Sequence, residues 1–170
     1  MEEKTKTLIL IRHAKSSWAQ LIQKDIERPL NERGNRDAPR MAEWLHSKMP
    51  NIDAFFCSTA IRAQETAAYF RKVYTNVSQF VLEPQLYMAD IDAFYEVIES
   101  IPDDFNSVAL FSHNFGISEF AYKLTGGGVS EMPTCAIAAI TIKSNHWANC
   151  RKVKSSLLFF MKPKELPQTS

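Results

Sequence analysis

Arg12 and His13 stand together at the end of the uncharged run Thr7-Leu8-Ile9-Leu10-Ile11, and Arg62 and His113 come later at intervals of about fifty residues. Guanidinium forks bind phosphate oxygens bidentately and stabilise charge on a phosphoryl group in transit. A neutral imidazole can attack phosphorus and carry the group as a phosphohistidine. Two arginines and two histidines therefore meet the needs of phosphoryl transfer without a metal, provided that they converge. Taken singly, each histidine reads more readily as a satisfied structural residue, and one Arg-His pair as a strand ending in surface charge. Convergence is what the elements between them must supply.

The run Thr7–Ile11 has the pattern of a buried strand, and so do Asp53–Cys57 and Val108–Phe111. Arg12-His13, Arg62 and His113 then stand at or just after three strand exits. In an open parallel sheet such exits share one crevice, so residues distant in sequence can meet there. Between the first two strands lies a long polar connection from Ser16 to Leu30 with Trp18 and Ile26 inside it, a length more often functional than idle. From about Asn35, the set Ala38, Met41, Ala42, Leu45 and Met49 has helical spacing, with Pro39 tolerable only near a first turn. Ser58 and Thr59 are helix-capping candidates ahead of an apolar stripe through Ala63, Ala67, Phe70 and Tyr74.

The spacing further predicts a weak strand over Ser78–Leu82, a loop over Glu83–Asp90, and helices through Ile91, Phe94, Ile98 and Ile101 and through Ile117, Phe120, Ala121 and Leu124. Cys135–Ile142 and Val153–Phe160 read as two strands joined around Asn145-His146, and the segment from Pro163 to Ser170 as a frayed tail. Alternation of strands and helices implies a three-layer α/β/α fold with a mostly parallel sheet and room for an antiparallel C-terminal strand.

Composition narrows the function classes. The chain has 170 residues, 45% hydrophobic and 23% charged, which suits one domain with a substantial core. A formal net charge of +1 provides no global field for nucleic acid or an anionic membrane, so neither is expected as a partner and any basic site must be local. Cys57, Cys135 and Cys150 are odd in number and widely spaced, as expected of reduced thiols in a cytoplasmic protein rather than a disulfide or zinc framework. Met1-Glu2-Glu3-Lys4 lacks the order of a secretory signal, and no apolar run nears the ~20 residues that span a bilayer.

Leu10-Ile11-Arg12-His13-Ala14, Ser58-Thr59-Ala60-Ile61-Arg62-Ala63-Gln64-Glu65-Thr66-Ala67 and Phe111-Ser112-His113-Asn114 together resemble the motifs of the histidine phosphatase superfamily, the phosphoglycerate mutase-like proteins. Within it the chain looks like the small phosphohistidine phosphatases of the SixA type. Ala14 replaces the glycine of the family's Arg-His-Gly signature, and Arg28-Pro29-Leu30-Asn31-Glu32-Arg33-Gly34 is similar to the segment leading into the first helix. The resemblance covers about Thr7 to Ile142. It implies a phosphoglycerate mutase-like fold, a single domain over residues 1–162 with a C-terminal tail over 163–170, and no cofactor or metal. It also implies His13 as nucleophile, with Arg12, Arg62 and His113 completing the phosphate pocket.

Ser16, Ser17, Arg28 and Asn114 are further substrate-binding candidates, with Lys15 beside them; Arg28 can equally pair with a nearby acid. Mutase-type members add a carboxylate acid, for which this chain offers only Glu83, Asp90 and Asp92, none in a matching motif. Ala19 stands where mutases carry an asparagine. An alkoxide leaving group needs a proton donor, whereas imidazole leaving a phosphohistidine needs less help. The resemblance thus points to dephosphorylation of a protein phosphohistidine through a covalent phosphohistidine. The alternatives are a phosphatase for a small phosphate monoester, with Glu83 or Asp90 as acid, and a catalytically idle phosphoprotein-binding module. A cysteine phosphatase built on Cys57 needs a Cys-x5-Arg loop, and only four residues separate Cys57 from Arg62. Cys57 reads as strand core, His46 as a helix-face residue, His146 as a turn residue, and Gly126-Gly127-Gly128 as a mobile connection without the ending of a nucleotide loop.

Overall fold

The computed structural model describes residues 4–20 and 23–168. Residues 1–3 of the N-terminal stretch, residues 21 and 22 of the Ser16–Leu30 connection, and the last two residues of the tail lie outside these. The chain runs β1 (Lys6–Arg12), α1 (Glu32–Lys48), β2 (Ala54–Cys57), α2 (Ile61–Val73), β3 (Gln79–Leu82), α3 (Ile91–Glu99), β4 (Ser107–Ser112), α4 (Gly116–Leu124), β5 (Ile137–Ile142) and β6 (Ser155–Met161).

The six strands form one sheet in the order β3-β2-β4-β1-β5-β6. β1 pairs in parallel with β4, and β2 in parallel with both β4 and β3. β5 runs antiparallel to β1, and β6 antiparallel to β5, so the antiparallel part comprises two strands rather than one. The continuous apolar run of β1 reflects burial on both faces. Leu8 and Leu10 pack with Phe94, Ile98, Ile117 and Phe120 of α3 and α4, while Ile9 and Ile11 pack with Met41, Leu45, Ala67 and Phe70 of α1 and α2.

Three local expectations are corrected. The first helix starts at Glu32, capped by the Asn31 side chain accepting from the Gly34 amide, so Pro39 falls well inside it rather than in its first turn. Neither Ser58 nor Thr59 caps α2; Ala60 occupies that position without a side-chain cap. The tail is docked over the residues described: Pro163–Glu165 form a 3-10 turn, Leu166 is buried among residues that include Met41 and Leu45, and the Pro167 carbonyl accepts from Arg40. A leucine that close to the end of the chain finds the apolar face of α1 uncovered and closes it.

Candidate active site

The carboxyl ends of β1, β2 and β4 lie side by side, and the residues just after each strand face one open cavity of about 440 Å³. Its walls carry Arg12, His13, Ser16, Arg28, Arg62, His113 and Asn114, all candidates from the sequence, together with Lys15, Trp18, Asp25, Tyr87, Met88 and Thr134. Ser17 is not among the wall residues; its amide donates to Pro29 and its hydroxyl accepts from the Ala19 amide. Four cationic side chains against the single carboxylate of Asp25 make the cavity an anion site, although the chain as a whole is almost neutral.

His13 is held by its backbone and its ring. Its amide donates to the Ser112 carbonyl of β4, and its carbonyl accepts from the Cys135 amide. The next amide, that of Ala14, donates to Thr66 Oγ1, and the Thr66 hydroxyl donates to the Arg62 carbonyl, which ties the first motif to the second. The ring Nδ1 lies 2.7 Å from the Ala14 carbonyl oxygen. A carbonyl only accepts, so Nδ1 carries the proton and Nε2 keeps its lone pair. Burial, together with the charges of Arg62, Arg12 and Arg28, lowers the His13 pKa to about 3, against the opposing effect of the Ala14 bond. At neutral pH the ring is uncharged, as a nucleophile must be.

His113 sits with its ring centroid 5.1 Å from that of His13. Its Nε2 lies 2.7 Å from Ser58 Oγ, which also accepts from the Ala60 amide. One proton bridges Ser58 Oγ and Nε2, and the side on which it sits sets the His113 tautomer. Burial foremost, then the proximity of His13 and Arg62, lowers the His113 pKa to about 3 as well. Sequence reading assigned Ser58 to a helix cap; its use as the tether of His113, 55 residues away, has no local signature.

The two arginines are each held by hydrogen bonds of their own. Arg12 donates through Nη1 to the Met132 carbonyl. Arg62 donates through Nη1 to the Asp25 carbonyl at 2.7 Å and through Nη2 to Asp25 Oδ2 at 3.1 Å. Asp25 Oδ1 accepts from Arg28 Nε at 3.0 Å, and Oδ2 also accepts from the Tyr87 hydroxyl at 2.5 Å. Desolvation alone would raise the Asp25 pKa, but the bonds from Tyr87, Arg28 and Arg62 outweigh it and hold the carboxyl at about 2. Arg28 is buried, donates to Ser16 Oγ, and has the Trp18 ring stacked 3.5 Å from its guanidinium carbon. Both readings of Arg28 therefore apply: it pairs with an acid and it lines the cavity.

Among the described residues, the buried side-chain nitrogen and oxygen atoms without a hydrogen-bond partner are Arg12 Nε, Arg62 Nε and His113 Nδ1. Leaving a buried donor unpaired costs about 1–3 kcal/mol, more for a charged group. All three belong to residues that wall this one cavity. No three of His, Cys, Asp and Glu converge as a metal-ligand cluster among the described residues.

The carboxylate candidates from the sequence stand elsewhere. Glu83 accepts from the Gln85 amide, Asp90 caps α3 through the Ala93 amide, and Asp92 pairs with Arg151. None of the three lines the cavity. Cys57 is wholly buried, and desolvation pushes its thiol far above the usual range, so it cannot serve as a thiolate. His46 lies on the exposed side of α1 against the Tyr74 ring, and His146 pairs with Asp103.

Residues 8–87 match the family model of the histidine phosphatase superfamily, branch 1. The uncharacterized protein ML1117 of Mycobacterium leprae is 30% identical over 91% of this chain and all of its own length. The chain belongs to the histidine phosphatase superfamily. Solved structures place this histidine phosphatase in the phosphoglycerate mutase-like fold. A Nakamurella multipartitia protein provisionally assigned as phosphohistidine phosphatase SixA superposes with a TM-score of 0.83 at 24% identity, covering 94% of this chain and 96% of its own. The protein histidine phosphatase SixA complexed with tungstate gives 0.80 at 21% identity, over 95% and 99%. The phosphoglycerate mutase of Plasmodium falciparum gives 0.67 at 19%, over 98% and 97%. No helix among the described residues is long and apolar enough to cross a membrane.

Proposed function

We propose that this histidine phosphatase removes the phosphoryl group from a protein phosphohistidine through a covalent intermediate on His13. The observation that carries this reading is the ring of His13: Nδ1–H is committed to the Ala14 carbonyl, and Nε2 is left with its lone pair in a cavity walled by Arg12, Arg62 and His113. His13 Nε2 attacks phosphorus as the bond to the substrate imidazole breaks. That imidazole leaves neutral when its other ring nitrogen carries a proton. His13 becomes a phosphorylated imidazolium, whose charge the Ala14 carbonyl stabilises by accepting from Nδ1–H. Arg12, Arg62 and His113 hold the phosphoryl oxygens, with Arg28, Ser16 and Asn114 at the wall. Water then attacks phosphorus, Nε2 regains its electron pair, and phosphate departs.

The choice of phosphohistidine over a phosphate monoester rests on the carboxylates: Asp25 is the one on the cavity wall. Asp25 is held near a pKa of about 2 and is ionised at neutral pH. An alkoxide leaving group would find no neutral carboxylic acid on that wall to protonate it, whereas imidazole needs less help. The test is a comparison of kcat/KM for a phosphohistidine peptide with that for sugar and glycerate phosphates. The reading expects the peptide to be preferred by orders of magnitude; a preference for the monoesters contradicts it.

A further inference from the structure

Exposed large apolar side chains are unremarkable singly and informative in groups. Four of them line the candidate active site or the groove next to it. Trp18 (72% exposed) and Met88 (80%) stand on the cavity wall, and Phe115 (79%) and Tyr122 (55%) stand on the wall of a second, more apolar groove of about 580 Å³. Asn114 belongs to both walls. Its side chain accepts from the Ser118 hydroxyl, and Ser118 Oγ accepts from the Met132 amide, so the shared wall is anchored to α4 and to the 129–136 loop.

The groove is formed along α4. Phe115, Glu119 and Tyr122 recur at the spacing of one helix face, and across from them stand Ile91, Ser130 and Glu131. No element among the described residues covers that face. Met88 has a φ of 57°, a left-handed conformation disfavoured for a bulky side chain, and it presents that side chain to solvent at the cavity rim. Folding gains nothing from such a placement.

We infer that the α4 groove is a docking surface for the phosphoprotein substrate, receiving the apolar segment that flanks its phosphohistidine. The inference rests on the assignment of a protein phosphohistidine as substrate and adds where the carrier of the phosphoryl group lies. A phosphoryl group seated at His13 has its protein attached at the mouth of the cavity, and the groove begins at that mouth. Phe115 and Tyr122 take apolar side chains of the segment. Glu119 and Glu131, on a groove wall that also carries Lys123, leave it net negative and take a basic side chain beside them. A cationic hole for the phosphoryl group next to an apolar groove with carboxylates fits an amphipathic basic segment, not a small polar metabolite.

The test compares three substrates: a peptide with one phosphohistidine flanked by leucines and an arginine, the same peptide with serines for the leucines, and free phosphohistidine. The inference expects kcat/KM for the leucine peptide to exceed that for the serine peptide by about tenfold or more, a modest return for burying leucine side chains. Phe115→Ser and Tyr122→Ser together remove that advantage through KM and leave turnover of free phosphohistidine unchanged. Glu119→Lys lowers kcat/KM for the arginine-bearing peptides alone. A leucine-peptide advantage that survives the double variant overturns the inference, as does equal turnover of the two peptides by the wild type. A dimer that the double variant dissolves also overturns it, by assigning the face to a second copy. Should no phosphohistidine probe be turned over faster than sugar phosphates, the parent reading falls and this one with it. Circular dichroism of the double variant separates lost docking from lost folding.

Discussion

At the residue scale the site depends on two neutral imidazoles kept so by different means. The carbonyl of Ala14 fixes the His13 tautomer and the hydroxyl of Ser58 tethers the His113 ring, while burial disfavours protonation of both. Stability is therefore expected to depend on pH. Both rings have folded pKa values near 3 against 6.5 in the unfolded chain, so between those limits the unfolded state binds more protons and stability rises with pH. Above about 6.5 this contribution is fully present; at about pH 4.5 each histidine withdraws on the order of 2–3 kcal/mol. Chemical denaturation across that range checks it, and His13→Gln flattens the slope by roughly half. A stability unchanged down to about pH 4 contradicts the buried neutral pair.

Asp25 gives the second residue-scale expectation. It bridges Arg62 and Arg28 without donating anything itself. Asp25→Asn keeps the shape and the backbone carbonyl that Arg62 uses but removes the charge, so both guanidiniums lose their shared carboxylate. Inhibition by inorganic phosphate is expected to weaken by about tenfold, the scale of one charge-assisted hydrogen bond. Unchanged phosphate affinity excludes the anchoring role. Tyr87 and Ser58 have no local signature, their partners lying 62 and 55 residues away; Asp25 has one in Arg28 three residues on, but its bond to Arg62, 37 residues away, has none. Arg12, His13, Arg62 and His113 were legible because strand patterns place residues at exits and exits of one sheet converge.

At the scale of elements, close backbone approaches position the loops. A Cβ on Gly116 would run into the Ala89 carbonyl oxygen, and one on Gly34 into the Lys15 carbonyl oxygen. Gly116 lets the start of α4 sit against the Glu83–Asp90 segment that carries Tyr87 and Met88, and Gly34 lets α1 sit against the loop after His13. Gly116→Ala is expected to cost about 1–3 kcal/mol of stability and to raise KM by displacing Tyr87. Thermal unfolding and kinetics together check this, and a variant as stable and as active as the wild type refutes it. The helix and strand periods were readable; the start of α1 was missed by three residues because Asn31 caps it through Gly34, and Pro39 lies in its interior. The docking of Leu166 was equally invisible, since a single apolar residue in a polar tail has no period.

At the scale of the whole molecule, a sheet that changes direction of growth puts α1 and α2 on one face and α3 and α4 on the other. The carboxyl ends of β1, β2 and β4 then open into one crevice. A nearly neutral chain thereby concentrates Arg12, Lys15, Arg28 and Arg62 at one point. Those cations supply the positive charge that the phosphoryl group needs, so turnover is expected to persist in the presence of a strong chelator and to fall as salt screens the cavity mouth.

The central claim is the covalent phosphohistidine on His13, and trapping measures it most directly. Wild-type protein mixed with a labelled phosphoryl donor and quenched in denaturant should retain label that is stable to alkali and released by acid, while His13→Ala retains none and does not turn over. Label or turnover that persists in His13→Ala contradicts the account.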